Sequence, residues 1–199
     1  MHFCTDANQR DELTKLASKE NAEALEDMTS KQMMTVVDFL ERFNSIKVPL
    51  AAFFQIVPNL APRYYTIASS SMVHPTKVRI AISLTVDPLP GGGERLGVTS
   101  DFLRRCFAQL QKGEQLVSRV FFKESLFKMP DDHSAPIVMV GPGTGVVPFI
   151  GMSEERQQLR KEKGVATGEC DLFFGCRHRD QDFIYEEEMR GFVDSGVVT

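Results

Sequence analysis

Cysteine is scarce. The 199 residues hold four, Cys4, Cys106, Cys170 and Cys176, with no Cys-x-x-Cys spacing and far below the density of a secreted disulfide scaffold. A reducing, cytosol-facing compartment is expected. Histidine also occurs four times (His2, His74, His133, His178), nowhere at metal-ligand spacing, so no metal site is expected. The formal charge of -4 and the pI near 5.6 give no basic face for nucleic acid. The longest apolar run, residues 48–57, is short and contains Pro49 and Gln55, which excludes a membrane span. The first residues, Met1-His2-Phe3-Cys4-Thr5-Asp6, lack the basic and apolar regions of a secretory leader. Internal repeats and low-complexity tracts are missing too. What remains, 42% hydrophobic and 25% charged residues, is ordinary for a globular protein able to bury a core.

Three textures follow one another along the chain. Over residues 5–43, Leu13, Leu16 and Ala17, then Leu25 and Met28, then Val36, Val37, Leu40 and Phe43 recur at three- and four-residue spacing, which predicts helix with Asp6 and Ser30 as N-caps. Pro49, Pro58 and Pro62 break that pattern. Residues 63–69, 77–86 and 116–122 then read as strands, with Val78, Ile80, Ile82 and Leu84 alternating with more polar neighbours. A helix is expected over 101–110, capped by Thr99 or Ser100. From Pro136 onward the order is strand (137–140), glycine loop, helix (148–163), strand (172–175) and helix (185–193), the grammar of a parallel sheet. The apolar run 137–140 is of the kind found in strands buried on both faces.

The glycine loop, Val140-Gly141-Pro142-Gly143-Thr144-Gly145-Val146-Val147-Pro148, carries the clearest chemistry. Glycines between a strand and a helix let the backbone turn tightly and come close to an anion. The helix N-terminus supplies N–H groups and the positive dipole end to a pyrophosphate. Pro148 suits the first helical turn, where no N–H is needed. The spacing is neither the G-x-G-x-x-G fingerprint nor a P-loop, and a plain tight strand–helix turn is the competing reading. The next strand ends in Cys176-Arg177-His178-Arg179, where basic residues suit the extra phosphate of NADP and an NAD site would want a carboxylate.

Upstream, Arg63-Tyr64-Tyr65-Thr66-Ile67 puts a guanidinium, two aromatic rings and a hydroxyl on one strand. Arg63 and Tyr65 share a face by period two. Arginine can hold a diphosphate bidentately, and a tyrosine ring can cover a flat heterocycle. Simple packing is the alternative for the tyrosines. Gly97-Val98-Thr99-Ser100 offers a second helix N-terminus for phosphate. Cys176 has no paired base in view and reads as a thiol at a strand end.

Taken together, Arg63 to Ser71, His74-Pro75, Gly97 to Ser100, Val140 to Phe149, Glu155-Arg156, and Phe173 to Arg177 with Asp182-Phe183 and Tyr185-Glu186 resemble the diflavin reductases of the ferredoxin–NADP reductase superfamily, in that family's order. The resemblance implies a multi-part α+β fold, truncated at both ends: a helical connecting segment (residues 1–60), a partial antiparallel FAD-binding β-barrel (61–130) and a partial α/β parallel-sheet NADP-binding domain (131–199). It implies that Arg63 binds the FAD diphosphate, Tyr65 stacks on the isoalloxazine, Tyr64 lines the site, and Thr66 stands near flavin N5 in the catalytic position. Ala81, Ile82 and Ser83 would lie against the flavin, and Gly97, Val98, Thr99 and Ser100 would cradle its phosphates. Gly143, Thr144 and Gly145 would bind the NADPH pyrophosphate, with Cys176 and Arg177 beside the nucleotide. The implied activity passes hydride from NADPH to FAD, then electrons by way of FMN, in a flavodoxin-like domain outside this chain, to a haem protein such as cytochrome P-450. A diflavin reductase of the sulfite or methionine synthase type is an alternative. So is a truncated, non-catalytic nucleotide-binding or interaction module. The expected setting is the cytoplasm or the cytosolic face of the endoplasmic reticulum, any anchor lying outside this chain.

Overall fold

The computed structural model describes residues 2–199. Contacts group the chain into two units, each assembled from two stretches: Met1–Pro62 with Leu84–Arg105, and Arg63–Ser83 with Cys106–Thr199.

In the first unit the helical texture forms, but in short pieces. Helix α1 (Ala7–Leu16) starts at Asp6, whose carboxylate accepts the Gln9 N–H at 2.8 Å, the cap expected from the sequence. Helix α2 (Ala22–Glu26) widens into a π turn over Asp27–Lys31, and Ser30 lies inside that turn instead of capping a helix. The cap is Thr35, ahead of α3 (Val36–Arg42). Its hydroxyl accepts the Asp38 N–H at 3.2 Å while the Asp38 carboxylate accepts the Thr35 N–H at 2.7 Å, a reciprocal capping box. Met33, at φ +53°, lies between the π turn and α3, so the expected single helical stretch is interrupted there. Helix α4 (Leu50–Ile56) follows. Cys4, Leu13, Met28 and Phe43 form the core of these helices. A hairpin of β1 (Val86–Pro88) and β2 (Glu94–Leu96) leads into α5 (Val98–Gln111).

The strands expected upstream and downstream of this hairpin are largely unmade. Between residues 63–69 and 77–86 there is one antiparallel bridge, Ile67 with Ile80, Val86 opens β1, and residues 116–122 form no strand. Extended, β-branched sequence becomes a strand only where a partner satisfies its backbone groups. Among the described residues the antiparallel β-pairing consists of the β1–β2 hairpin and the Ile67–Ile80 bridge.

The second unit holds the parallel sheet. Strand β3 (Ile137–Pro142) pairs in parallel with β4 (Cys170–Gly175), from Ile137 opposite Cys170 to Pro142 opposite Gly175. Helix α6 (Val147–Lys163) makes the crossover, with Pro148 in its first turn. After β4 come the short α7 (Arg179–Asp182) and α8 (Glu186–Asp194). The chain then returns to the other edge of β4, where the Thr199 N–H donates to the Cys170 carbonyl at 2.8 Å. Met139, Val146, Phe149, Ile150, Cys170, Phe192, Val197 and Val198 form one core. Burial alternates along β3. Met139 is buried, whereas Val138 and Val140 are 65% and 66% exposed, so helices cover one face of the sheet and the expected burial on both faces is not seen. Arg156 of α6 is fully buried and donates to the Gly168 carbonyl, tying the turn before β4 to the helix.

Candidate functional site

Strands β3 and β4 end together, and the loops leaving their carboxyl ends frame an open cleft of about 620 Å3. This is where open α/β sheets bind ligands. The cleft is lined by Ser83, Pro142, Gly143, Thr144, Gly175, Cys176, Arg177, Asp182 and Ile184. Five of the residues read as cofactor contacts in the sequence, Ser83, Gly143, Thr144, Cys176 and Arg177, thus meet in one place. Gly145 lies beside them in the tight helical turn Gly143–Val146, which feeds directly into α6.

The shape of this turn depends on a glycine. A Cβ on Gly141 would stand 2.7 Å from Val146 Cα, 2.8 Å from Val146 N and 2.9 Å from Gly145 C, all backbone atoms. The chain after β3 therefore folds back onto the strand as closely as bare backbone permits, and residues 143–145 are left at the cleft wall. That backbone at the start of a long helix suits a pyrophosphate, by unpaired first-turn N–H groups and by the dipole.

The opposite wall is organised by a carboxylate that the sequence reading did not assign. Asp182 Oδ1 accepts the His178 N–H at 2.7 Å, while Oδ2 accepts the Arg177 N–H at 3.1 Å and Nε at 3.3 Å. One side chain thus fixes the turn after β4 and holds the Arg177 guanidinium at the cleft. Its position at the end of a short helix just past a basic strand end was the available signal. Arg179 turns elsewhere, pairing with Glu186 at 2.8 Å and lying over the Phe183 ring. The N–H groups of His178 and Arg177, with Arg177's guanidinium, hold the Asp182 carboxyl below its ordinary value of 3.8. With the folded pKa depressed, this clamp contributes above the unfolded value and is lost only as pH falls through the lower folded value. A carbon-detected titration should give Asp182 a midpoint below that of an unstructured aspartate, with the His178 amide shifting in the same step. A midpoint at or above the ordinary value would remove the clamp from the account.

The flavin set is divided. Arg63, Tyr64, Tyr65 and Thr66 lie exposed on the extended segment before the Ile67–Ile80 bridge, and Ala81 and Ile82 are half-buried on its partner. The Tyr64 ring packs edge-on against Phe121 at 5.4 Å, with Lys123 over its face. Gly97, Val98, Thr99 and Ser100 belong to the first unit. Here α5 starts at Val98, so Thr99 and Ser100 are in its first turn and are not its caps. Ser100 Oγ is buried and accepts the Thr85 N–H at 2.8 Å, and the Gly97 N–H donates to the Thr85 carbonyl at 2.9 Å. These two groups pin the entry to α5. Among the described residues, no cluster of side chains could hold a metal ion.

Residues 1–102, half of the chain, match the family model for an FAD binding domain, and residues 139–195 match that for an oxidoreductase NAD-binding domain. The chain is 37% identical over 198 residues to an NADPH–cytochrome P-450 reductase of Drosophila melanogaster, covering 98% of this chain and 29% of that protein. To the NADPH–cytochrome P-450 reductase of Mus musculus it is 33% identical over 199 residues, 99% of this chain and 29% of the mouse protein. A bifunctional cytochrome P-450/NADPH–P-450 reductase of Bacillus subtilis is 40% identical over 170 residues, 85% of this chain and 16% of the bacterial one. The chain thus spans less than a third of the length of these relatives. Both family matches agree on FAD and a nicotinamide dinucleotide as cofactors, and the protein belongs to the FAD-binding domain family of the ferredoxin–NADP reductase superfamily, joined to an oxidoreductase NAD-binding domain.

Proposed function

We propose that this chain is the part of an NADPH–haemoprotein reductase where hydride passes from NADPH to FAD. In the whole protein, electrons would go on through FMN in a flavodoxin-like domain to a haem protein such as cytochrome P-450. The observation that carries the reading is Ser83. It comes from the segment assigned to the flavin, yet it lines the same cleft as Thr144 and Arg177 of the nucleotide set. Two cofactors that exchange hydride must meet, and residues read for each line one cleft.

The bound flavin supplies the conversion between hydride and single-electron chemistry. The chain supplies positions and charge. Residues 143–145 would cradle the pyrophosphate, and Arg177, aimed by Asp182, would add a cation at the nucleotide. Arg63 would hold the FAD diphosphate and Tyr65 would cover the isoalloxazine, with the Thr66 hydroxyl near N5. At the first turn of α5, the segment 97–100 would receive FAD phosphate. The basic strand end Arg177-His178 favours NADPH over NADH in this reading. The free state of all four cysteines fits a cytoplasmic or cytosol-facing setting. A second reading, a nucleotide-binding module without turnover, is supported by the exposed Arg63–Thr66 segment and the unpaired residues 116–122.

Purifying the chain separates the two readings. Stoichiometric FAD absorbance that NADPH bleaches supports the reductase, and a colourless protein that binds NADP+ supports the module. In flavin-bearing protein, Arg63→Ala and Tyr65→Ala should each weaken FAD retention about fivefold, from loss of a charge-assisted bond or of ring contact. Unchanged occupancy in both variants would remove these residues from the flavin site.

A further inference from the structure

The segment bearing Arg63 to Thr66 makes one bridge to its neighbour strand, yet the residues just after it are deeply buried, Ala68 fully and Ser70 at 4% exposure. What they pack against is α6. A Cβ on Gly151 would lie 3.2 Å from Ser69 N and 3.3 Å from the carbonyl carbons of Ala68 and Ser69, so helix and segment meet backbone to backbone. Glu154 lies three residues on, on the same helix face. Its Oε2 accepts the Ser70 N–H at 2.9 Å. Its Oε1 pairs closely with Arg79 Nη2 and stands 3.6 Å from His74 Nε2.

Arg79 extends the same node. Its N–H donates to Ser69 Oγ at 3.0 Å, its carbonyl accepts the Ala68 N–H at 2.7 Å, and its Nη1 stands 3.9 Å from Glu188 of α8. The Glu154 side chain is only 12% exposed. Neither residue lines the cleft, and neither belongs to the cofactor sets above.

We infer that Glu154 is a positioning residue: it registers the segment carrying Arg63, Tyr65 and Thr66 against the helix whose N-terminus bears the glycine loop. Helix α6 is one rigid body, so a loop at its start and a carboxylate about two turns along are held at fixed separation. With few ladder bonds of its own, the segment takes its place from that carboxylate, from Arg79 and from the close approach at Gly151. Where a flavin edge would stand relative to a nicotinamide is then set through Glu154. This consequence rests on the function proposed above, whereas the anchoring itself does not.

Hydrogen exchange on the purified chain, with NADP+ as probe, tests both levels. In Glu154→Ala, amide exchange over residues 70–72 should accelerate about tenfold, the effect of losing a charge-assisted bond to a backbone N–H. Amides of β3 and β4 should keep their rates. In the native chain NADP+ should slow exchange over residues 68–70 as well as at the loop. In Glu154→Ala it should protect the loop alone, with Kd for NADP+ within about threefold of native because the sites share no partner. Unchanged exchange at Ser70, or NADP+ protection of 68–70 that survives the substitution, would overturn the inference. Should Glu154→Ala loosen the β-sheet as well, Arg79→Gln, which leaves α6 intact, must still accelerate residues 68–70 selectively, and its failure to do so counts against the proposal. If native chain does not bind NADP+, the functional reading falls, while exchange in the ligand-free protein still decides whether Glu154 holds the segment.

Discussion

Gly141→Ala should lower the melting temperature by roughly 10 °C, the effect of about 3 kcal/mol of overpacking on a domain of this size, and should weaken NADP+ binding by more than about tenfold. The added methyl would sit within 3 Å of three backbone atoms of residues 145 and 146. Flexible side chains can swing away from such a clash, whereas backbone inside a turn cannot. Relief requires β3 and the start of α6 to separate, and that movement carries residues 143–145 away from the cleft wall. Gly145→Ala is the matched control for stability, since its nearest atom, Pro142 Cδ, is at an ordinary 3.5 Å. Thermal melts of the two variants beside native protein check the claim. Equal melting temperatures for all three would show that the close approach at Gly141 does not shape the loop.

Arg177→Ala should weaken NADP+ binding about 10- to 100-fold while leaving stability nearly unchanged. The guanidinium is solvent-exposed, so folding gains little from its pairing with Asp182. A bound nucleotide phosphate changes that balance, because a charge-assisted bond to it is worth about 1.5–3 kcal/mol, and each 1.4 kcal/mol is tenfold in affinity. Asp182→Asn should cause a smaller loss, since it frees the guanidinium and loosens the backbone at 177 and 178 without removing the cation. Calorimetric titration of both variants gives the order. A stronger loss in Asp182→Asn than in Arg177→Ala would mean that the carboxylate, not the arginine, makes the nucleotide contact.

Local features of this fold could be read directly from the sequence. The glycine loop announces itself because strand, turn and helix start are all encoded within residues 137–148, and Asp6 caps α1 through the amide three residues ahead. Ser30 and Thr35 show how narrow the margin is. Both precede apolar periodicity, but only Thr35 has an acidic residue at the third position, Asp38, to complete the box, and that spacing was present to be read. Residues 63–69, 77–86 and 116–122 misled because strand formation depends on a partner, which local composition cannot supply. Likewise the run 137–140 carries no mark of which face is covered, and Val138 and Val140 are exposed. Gly143, Thr144, Cys176 and Arg177, which line the cleft, could be picked out through their neighbours in the sequence. Asp182 and Glu154 were not, since each acts through residues brought to it by a turn or by packing, Glu154 across 84 positions to Ser70.

The cleft at the ends of β3 and β4 is proposed to take a nicotinamide dinucleotide beside the segment assigned to the flavin. Titrating NADP+ into nitrogen-15-labelled chain and following the amide spectrum tests it most directly. Saturable shifts are expected, largest at Gly143, Thr144, Gly175, Cys176 and Arg177, with Ser83 moving at the same ligand concentration. A spectrum that does not change, or saturable shifts centred elsewhere with Ser83 and Thr144 unmoved, would contradict it.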